Sequence, residues 1–272
     1  MDLKLLQDTP PWDWPDGTAK IFRKILTDRR ADAADRLIAA DLAGDFTVIN
    51  DELADVLLNI IGNSAEPPLL RAKAAISLGP ALESATDGFD DPDDVPIGEG
   101  MFRKIRKSLE KLYADRSTPK EVRRRILEAA VRAPEDWQAA AVRQAYLSGD
   151  AEWLLTAVFA MRWIPGFDEQ ILASLENPDP EIQFEAVVAA GEWELAPAWA
   201  HIVGLVESPD TPKNLLLAAI SSVATIRPSE AGEILGDLAD SEDEDIAEAA
   251  DEALMMAETL SGDEEEEDEE IS

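Results

Sequence analysis

The 272-residue chain has no cysteine, a single histidine and two tyrosines. Without cysteine there is neither a disulfide framework nor a thiolate metal site, which fits a reducing compartment. The lone His201 leaves no histidine-rich set for a zinc or iron centre. There is no Gly-rich phosphate loop and no nucleophile elbow. No apolar run approaches the roughly 18 residues needed to span a bilayer. The opening stretch MDLKLLQDTPPWDWPDG lacks the basic and then long apolar regions of a secretory leader. Positive charge is scarce as well: 24 basic residues face 58 acidic ones, a net charge of −34. Such a surface repels phosphate backbones, so neither nucleic acid nor an anionic membrane is an expected partner. These absences lead us to expect a soluble, cytoplasmic chain with no catalytic, cofactor-binding or metal-ligating residues.

What the chain does have is a recurring apolar pattern. The stretch PDPEIQFEAVVAAGEWE, residues 178–194, begins on helix-start residues and ends near Gly191. Between them Ile182 is followed four, seven and eight positions later by Ala186, Ala189 and Ala190, one face of a helix. The same template fits from Leu70, Val122, Trp153, Leu215 and Ile246. The six anchors stand 52, 31, 29, 33 and 31 residues apart, a period that signals stacked units. A breaker precedes each anchor, and a second amphipathic stretch precedes each breaker, as in FDEQILASLE before NPDPE. One unit is therefore helix, tight turn, helix. Small residues at the fourth and seventh positions let the second helix pack closely. A single pair cannot bury its apolar face, so neighbouring pairs must cover it. The expected fold is all-α, an α-solenoid of about six to seven antiparallel helix pairs.

The units NPDPEIQFEAVVAAG and SGDAEWLLTAVFAM resemble HEAT repeats, in particular the short bacterial kind related to phycobilisome-lyase-type repeats. The resemblance covers residues 48–259 and implies a HEAT-like superhelix. The arginine such repeats carry one place after the anchor stands only at Arg71 and Arg123; Leu154, Gln183, Leu216 and Ala247 hold the place elsewhere. HEAT-type hydroxylases need several His-Glu pairs for iron, which one histidine does not supply.

Around the repeats, residues 1–47 read as an N-terminal segment with capping helices, ADAADRLIAADLAGD being a degenerate repeat. In PPWDWPDG, Trp12 and Trp14 are expected to lie on the first helices. The long spacing after Leu70 is assigned to an acidic loop, residues 84–100, rich in Asp87, Asp90, Asp91, Asp93 and Asp94. Those aspartates lack the alternating spacing of a calcium loop. The end, residues 260–272, reads as a structureless acidic tail.

Two surface features point to a partner. Residues 101–125 hold ten basic and three acidic side chains, a net +7 inside a strongly acidic chain. From these we select Arg103, Arg106, Lys107, Arg123 and Arg124 as partner-binding candidates, the competing expectation being counter-charges from the acidic loop or tail. Five of seven tryptophans fall between residues 137 and 199, and Trp163 and Trp193 follow the ends of second helices, where interface aromatics would sit. The expected function is a non-enzymatic scaffold or adaptor that binds a protein. Two alternatives accompany it: a lyase or cofactor-attachment role implied by the phycobilisome-lyase resemblance, and an acidic mimic of nucleic acid.

Overall fold

The computed structural model describes residues 3–86, 88–89 and 95–270, with side chains to residue 261. Among them there are helices and no strands, and the helices pack in pairs. The chain divides into two compact units, Met1–Arg143 and Gln144–Ser272.

The first unit contains α1 (Leu3–Gln7), α2 (Thr18–Thr27), α3 (Ala33–Leu42), α4 (Asp51–Gly62) and α5 (Pro68–Ile76). It continues through α6 (Gly79–Ser84), α7 (Glu99–Ala114) and α8 (Lys120–Ala130), then enters α9 (Asp136–Tyr146). The pairs are α2 with α3, α4 with α5, and α7 with α8. First helices touch first helices, α2 on α4 and α4 on α7; second helices touch second helices, α3 on α5 and α5 on α8. The pair α2–α3 is thus a further repeat ahead of the anchors. The second unit holds α10 (Ala151–Ala160), α11 (Asp168–Ser174), α12 (Pro180–Glu192), α13 (Trp199–Glu207), α14 (Lys213–Ile226), α15 (Ala231–Leu235) and α16 (Glu244–Glu270). Here α11, α13 and α15 each pack on the helix that follows, and α10, α12, α14 and α16 stack in series.

Local chemistry sets these boundaries. The side chains of Asp32, Asn50, Asp150 and Asp179 accept hydrogen bonds from first-turn amides of α3, α4, α10 and α12. Proline opens α5 and α12 or stands just before α8 and α14, where its missing N–H costs nothing. The template residues then fill the core. Ala74, Val122, Ile126, Ala157, Ala186, Ala189 and Ala219 are fully buried. In the last copy Ala250 is buried but Ile246 and Leu254 are half-exposed.

Second helices meet at close range through a paired device. Ser77 of the α5 end donates its hydroxyl to Ala40 O of α3 at 2.6 Å, and Ser222 of α14 donates to Val187 O of α12 at 3.1 Å. Both serines are the seventh residue after their anchors. A glycine on the preceding repeat makes room for each. A methyl on Gly44 would lie 2.1 Å from Ser77 O, and one on Gly191 would lie 2.7 Å from Ser222 Oγ.

The structure departs from the sequence expectations at Trp12 and in the C-terminal run. Trp14 does lie on the first helices, edge-on to Phe22 with ring centres 5.7 Å apart. Trp12 does not: it is 78 % exposed, its ring carried outward by the 3₁₀ turn Pro11–Asp13. The backbone of α16 is helical to Glu270, into the run expected to be structureless; glutamate is a good helix former, and extending a packed helix is easier than starting one. Asp87, Asp90, Asp91, Asp93 and Asp94 of the acidic loop lie outside the described residues.

The close approach of α12 and α14 separates two glycines of the second unit. Gly191→Ala pushes a methyl onto Ser222 and is expected to cost about 1–3 kcal/mol. Gly204→Ala, on α13 with nothing within 4 Å, should stabilise by up to about 1 kcal/mol through helix propensity. Urea melts of both variants check the pair; equal shifts would show that α12 and α14 do not make this contact.

Candidate functional site

Several polar side chains of the repeats hold helix ends. The last carbonyls of a helix have no partner within it and need an outside donor when buried. Arg71 Nε donates to Ile61 O at the end of α4 at 2.8 Å, and Arg123 Nε donates to Tyr113 O at the end of α7 at 2.9 Å. Arg36, which the anchor template overlooks, does the same for α2 through Nη2 to Leu26 O at 3.0 Å. Each arginine reaches back ten residues, one hairpin's length. Gln183 takes the role in the second unit, donating to Leu175 O just past α11 at 3.0 Å. The arginine one place after the anchor is therefore a cap for the first helix of its own pair.

Arg36 is also bound to a buried acid. Its guanidinium meets both oxygens of Glu66, at 2.7 and 3.1 Å, and both side chains are 8 % exposed. Arg29 approaches the same carboxylate at 3.8 Å. The hydrogen bonds from Arg36 hold the Glu66 carboxyl below its usual 4.5, against the upward push of burial, and the charges of Arg36 and Arg29 add to the lowering.

Counter-charges to the basic stretch stand on nearby described residues, one of them, Glu99, within the segment 84–100. Arg103 pairs with Glu99, Lys104 with Asp55, Arg125 with Glu128, and Arg106 with Glu135 at 2.9 Å. Arg106 also lies over the Phe102 ring at 5.2 Å, and Arg123 over the Tyr113 ring at 4.9 Å. Arg124 corrects a sequence expectation: at 7 % exposure it is a core residue of α8, not part of a partner surface. One outward face of α7 carries exposed Arg103, Lys107 and Lys111 at four-residue spacing.

The tryptophan candidates are half-buried and tied down. Trp193 Nε1 donates to Met161 O at 2.7 Å, fastening the end of α12 to the end of α10. The Trp163 ring stacks on Phe159 at 4.9 Å and beneath the Arg162 guanidinium at 4.7 Å. His201 sits 3.1 Å from Glu176 and 3.5 Å from Gln183, bracing the turn between α11 and α12. Among the described residues no group of three or more His, Asp or Glu side chains is arranged to hold a metal ion. Nor is any helix among them long and apolar enough to cross a membrane.

A concave feature of the first unit was not visible to sequence reasoning. A groove of about 590 Å³ runs between the N-terminal segment and the C-terminal ends of α3 and α5. Trp14, Leu6, Phe46 and Pro80 supply apolar walls, Asp41 and Asp45 two carboxylates, and Arg132 one guanidinium. Trp14 is fixed by its indole N–H, which donates to Thr9 O at 2.9 Å and Leu6 O at 3.2 Å. Asp45 Oδ1 accepts from the amide and hydroxyl of Thr47, shaping the turn that presents Phe46, which is 51 % exposed. Arg132 bonds Glu83 at 2.5 Å, with its side chain laid across Gly79.

No protein-family model matches the chain, and no curated protein matches it in sequence. Solved structures do resemble it. YibA of E. coli is 14 % identical, with a TM-score of 0.47 over 93 % of this chain and 90 % of that one. Human deoxyhypusine hydroxylase, solved in complex with glycerol, is 16 % identical, with a TM-score of 0.41 over 92 % and 87 %. At these scores neither likeness bears on what this chain does.

The Arg36–Glu66 pair makes stability depend on pH. Glu66→Gln leaves a buried guanidinium without its charge partner and is expected to cost about 3 kcal/mol at neutral pH. A carboxyl lowered in the fold stabilises above its unfolded value of 4.5, and the gain is lost as pH falls through the lower folded value. The gap between wild type and Glu66→Gln should therefore be widest near neutrality and close below pH 4.5. Denaturant melts across that range measure it; a gap independent of pH would remove the pair from the stability of the first unit.

Proposed function

We propose that the chain is a cytoplasmic, non-enzymatic scaffold, a HEAT-like helical-repeat module of the short bacterial kind that binds another protein. One observation carries the reading: the groove of the first unit, where Trp14 is locked in place and Phe46 stands half-exposed. Rigid aromatic walls that remain partly in water are the usual anchors of protein interfaces. The repeat architecture fits, since stacked pairs offer edges and grooves without a reacting centre. Conversely, the arginines, glutamine and histidine that would serve chemistry are engaged on helix ends and turns. The exposed face of α7, with Arg103 and Lys107, and the half-buried Trp163 and Trp193 are further candidate contacts of such a scaffold.

The test is capture of partners on the immobilised full chain, followed by direct titration with each purified partner. Phe46→Asp should weaken a groove-bound partner by tenfold or more, about 1.4 kcal/mol, with melting unchanged because the side chain is outside the core. Arg103→Glu with Lys107→Glu reports on the α7 face in the same way. If every captured partner binds all these variants as tightly as wild type, this reading of the surface fails.

A further inference from the structure

We infer that the groove of the first unit takes a basic segment of the partner, with a lysine or arginine side chain seated against Trp14 and Phe46 and countered by Asp41 and Asp45. The inference rests on the scaffold reading and names the chemistry of its ligand. Three observations converge on a cationic occupant. Aromatic faces attract ammonium and guanidinium groups through the ring quadrupole, more strongly where water is partly excluded. Two carboxylates line the same cavity: Asp41, whose Oδ1 accepts from Lys73 at 2.6 Å, and Asp45, whose Oδ1 accepts from the amide and hydroxyl of Thr47. The cavity is also bordered by Leu42 and Ile76, the last residues of α3 and α5, and helix C-termini carry partial negative charge.

The groove's own cation does not fill this role. Arg132 is bound to Glu83 at 2.5 Å and packed over Gly79; Asp41 already holds Lys73, whereas Asp45 is bonded to the neutral amide and hydroxyl of Thr47 and keeps its charge for an incoming cation. An acidic segment would meet two carboxylates and a chain of net charge −34, whereas a basic one is drawn toward both. A purely apolar segment would leave the carboxylates desolvated beside it, which is costly. The size suits a short extended stretch, since 590 Å³ falls within the range of pockets that enclose a ligand.

The probe is a short peptide of alternating lysine and leucine, titrated calorimetrically against the full chain, with a glutamate–leucine peptide of equal length as counterpart. Any acidic protein attracts a basic peptide, so location is decided by paired variants. Asp41→Asn with Asp45→Asn should weaken lysine-peptide binding about tenfold and flatten its salt dependence. Asp237→Asn with Asp240→Asn, the same charge change on exposed positions of the second unit, should leave binding within about twofold. Phe46→Ala, a half-exposed position whose loss leaves the core intact, should also weaken it severalfold. Equal losses from both aspartate pairs would overturn the inference in favour of diffuse attraction. Binding of the glutamate peptide as tightly as the lysine peptide would overturn it too, as would failure of the lysine peptide to bind. A captured partner that Phe46→Asp releases but the lysine peptide does not displace would leave the scaffold standing and remove this account of its ligand.

Discussion

Everything in the two units depends on how near one second helix can come to the next. Helix axes packed at short range need small side chains at the crossing, and the template supplies alanine or serine at its fourth and seventh positions in every copy but one, where Ile126 stands fourth after Val122. Where the seventh residue is serine, its hydroxyl satisfies a carbonyl on the neighbouring helix and a glycine receives it. A hydroxyl buried at such a crossing stabilises only because it is bonded; the same group unpaired would open the interface. The first helices are less constrained and carry the larger apolar residues, Phe22, Leu57, Ile105 and Leu109 among them.

Close packing creates a second requirement. Short turns bury the ends of first helices against the following second helix, so their last carbonyls are cut off from water. Arginine meets this need well: its long stem lies along apolar surface while one N–H reaches the carbonyl and the rest of the fork finds a carboxylate or a ring. Arg36 shows the full arrangement, with Leu26 O on one side and Glu66 on the other. Arg123 replaces the carboxylate with the Tyr113 ring. A run of positive charge in the sequence is thus divided among capping, ion pairing within the helices, and a narrow exposed face on α7.

The repeat was legible because it rests on periodicity, and each anchor from Leu70 to Leu215 falls on a second helix as the spacing requires. Arg36 escaped because Asp35 occupies the position where the template demands an apolar anchor; α3 is held by its ion pair and cap instead. Arg124 was misplaced because a charge run reads as surface, although one residue in three or four of a helix must face inward. The groove left no periodic trace at all. It is assembled from Trp14, the turn at residues 44–46 and Arg132, which are far apart in sequence and adjacent only because α3, α5 and α8 stack. An aromatic directly after Gly-Asp, outside any helical pattern, was the one local hint.

The distribution of helix-end caps has a mechanical meaning. In the first unit α2, α4 and α7 are each fastened to their partners by a directional bond from an arginine. In the second unit Leu216 and Ala247, which stand in the corresponding places on α14 and α16, carry no such donor, and α13 meets α14 partly through the Arg227 guanidinium over the Trp199 ring at 5.1 Å. Apolar contact fixes distance but not direction. The pairs α13–α14 and α15–α16 lack, at that position, the directional bond that registers the arginine-fastened pairs. The register of one helix on its partner is therefore fixed, pair by pair, by different means, a guanidinium reaching back ten places in one unit and shape or other side chains in the other.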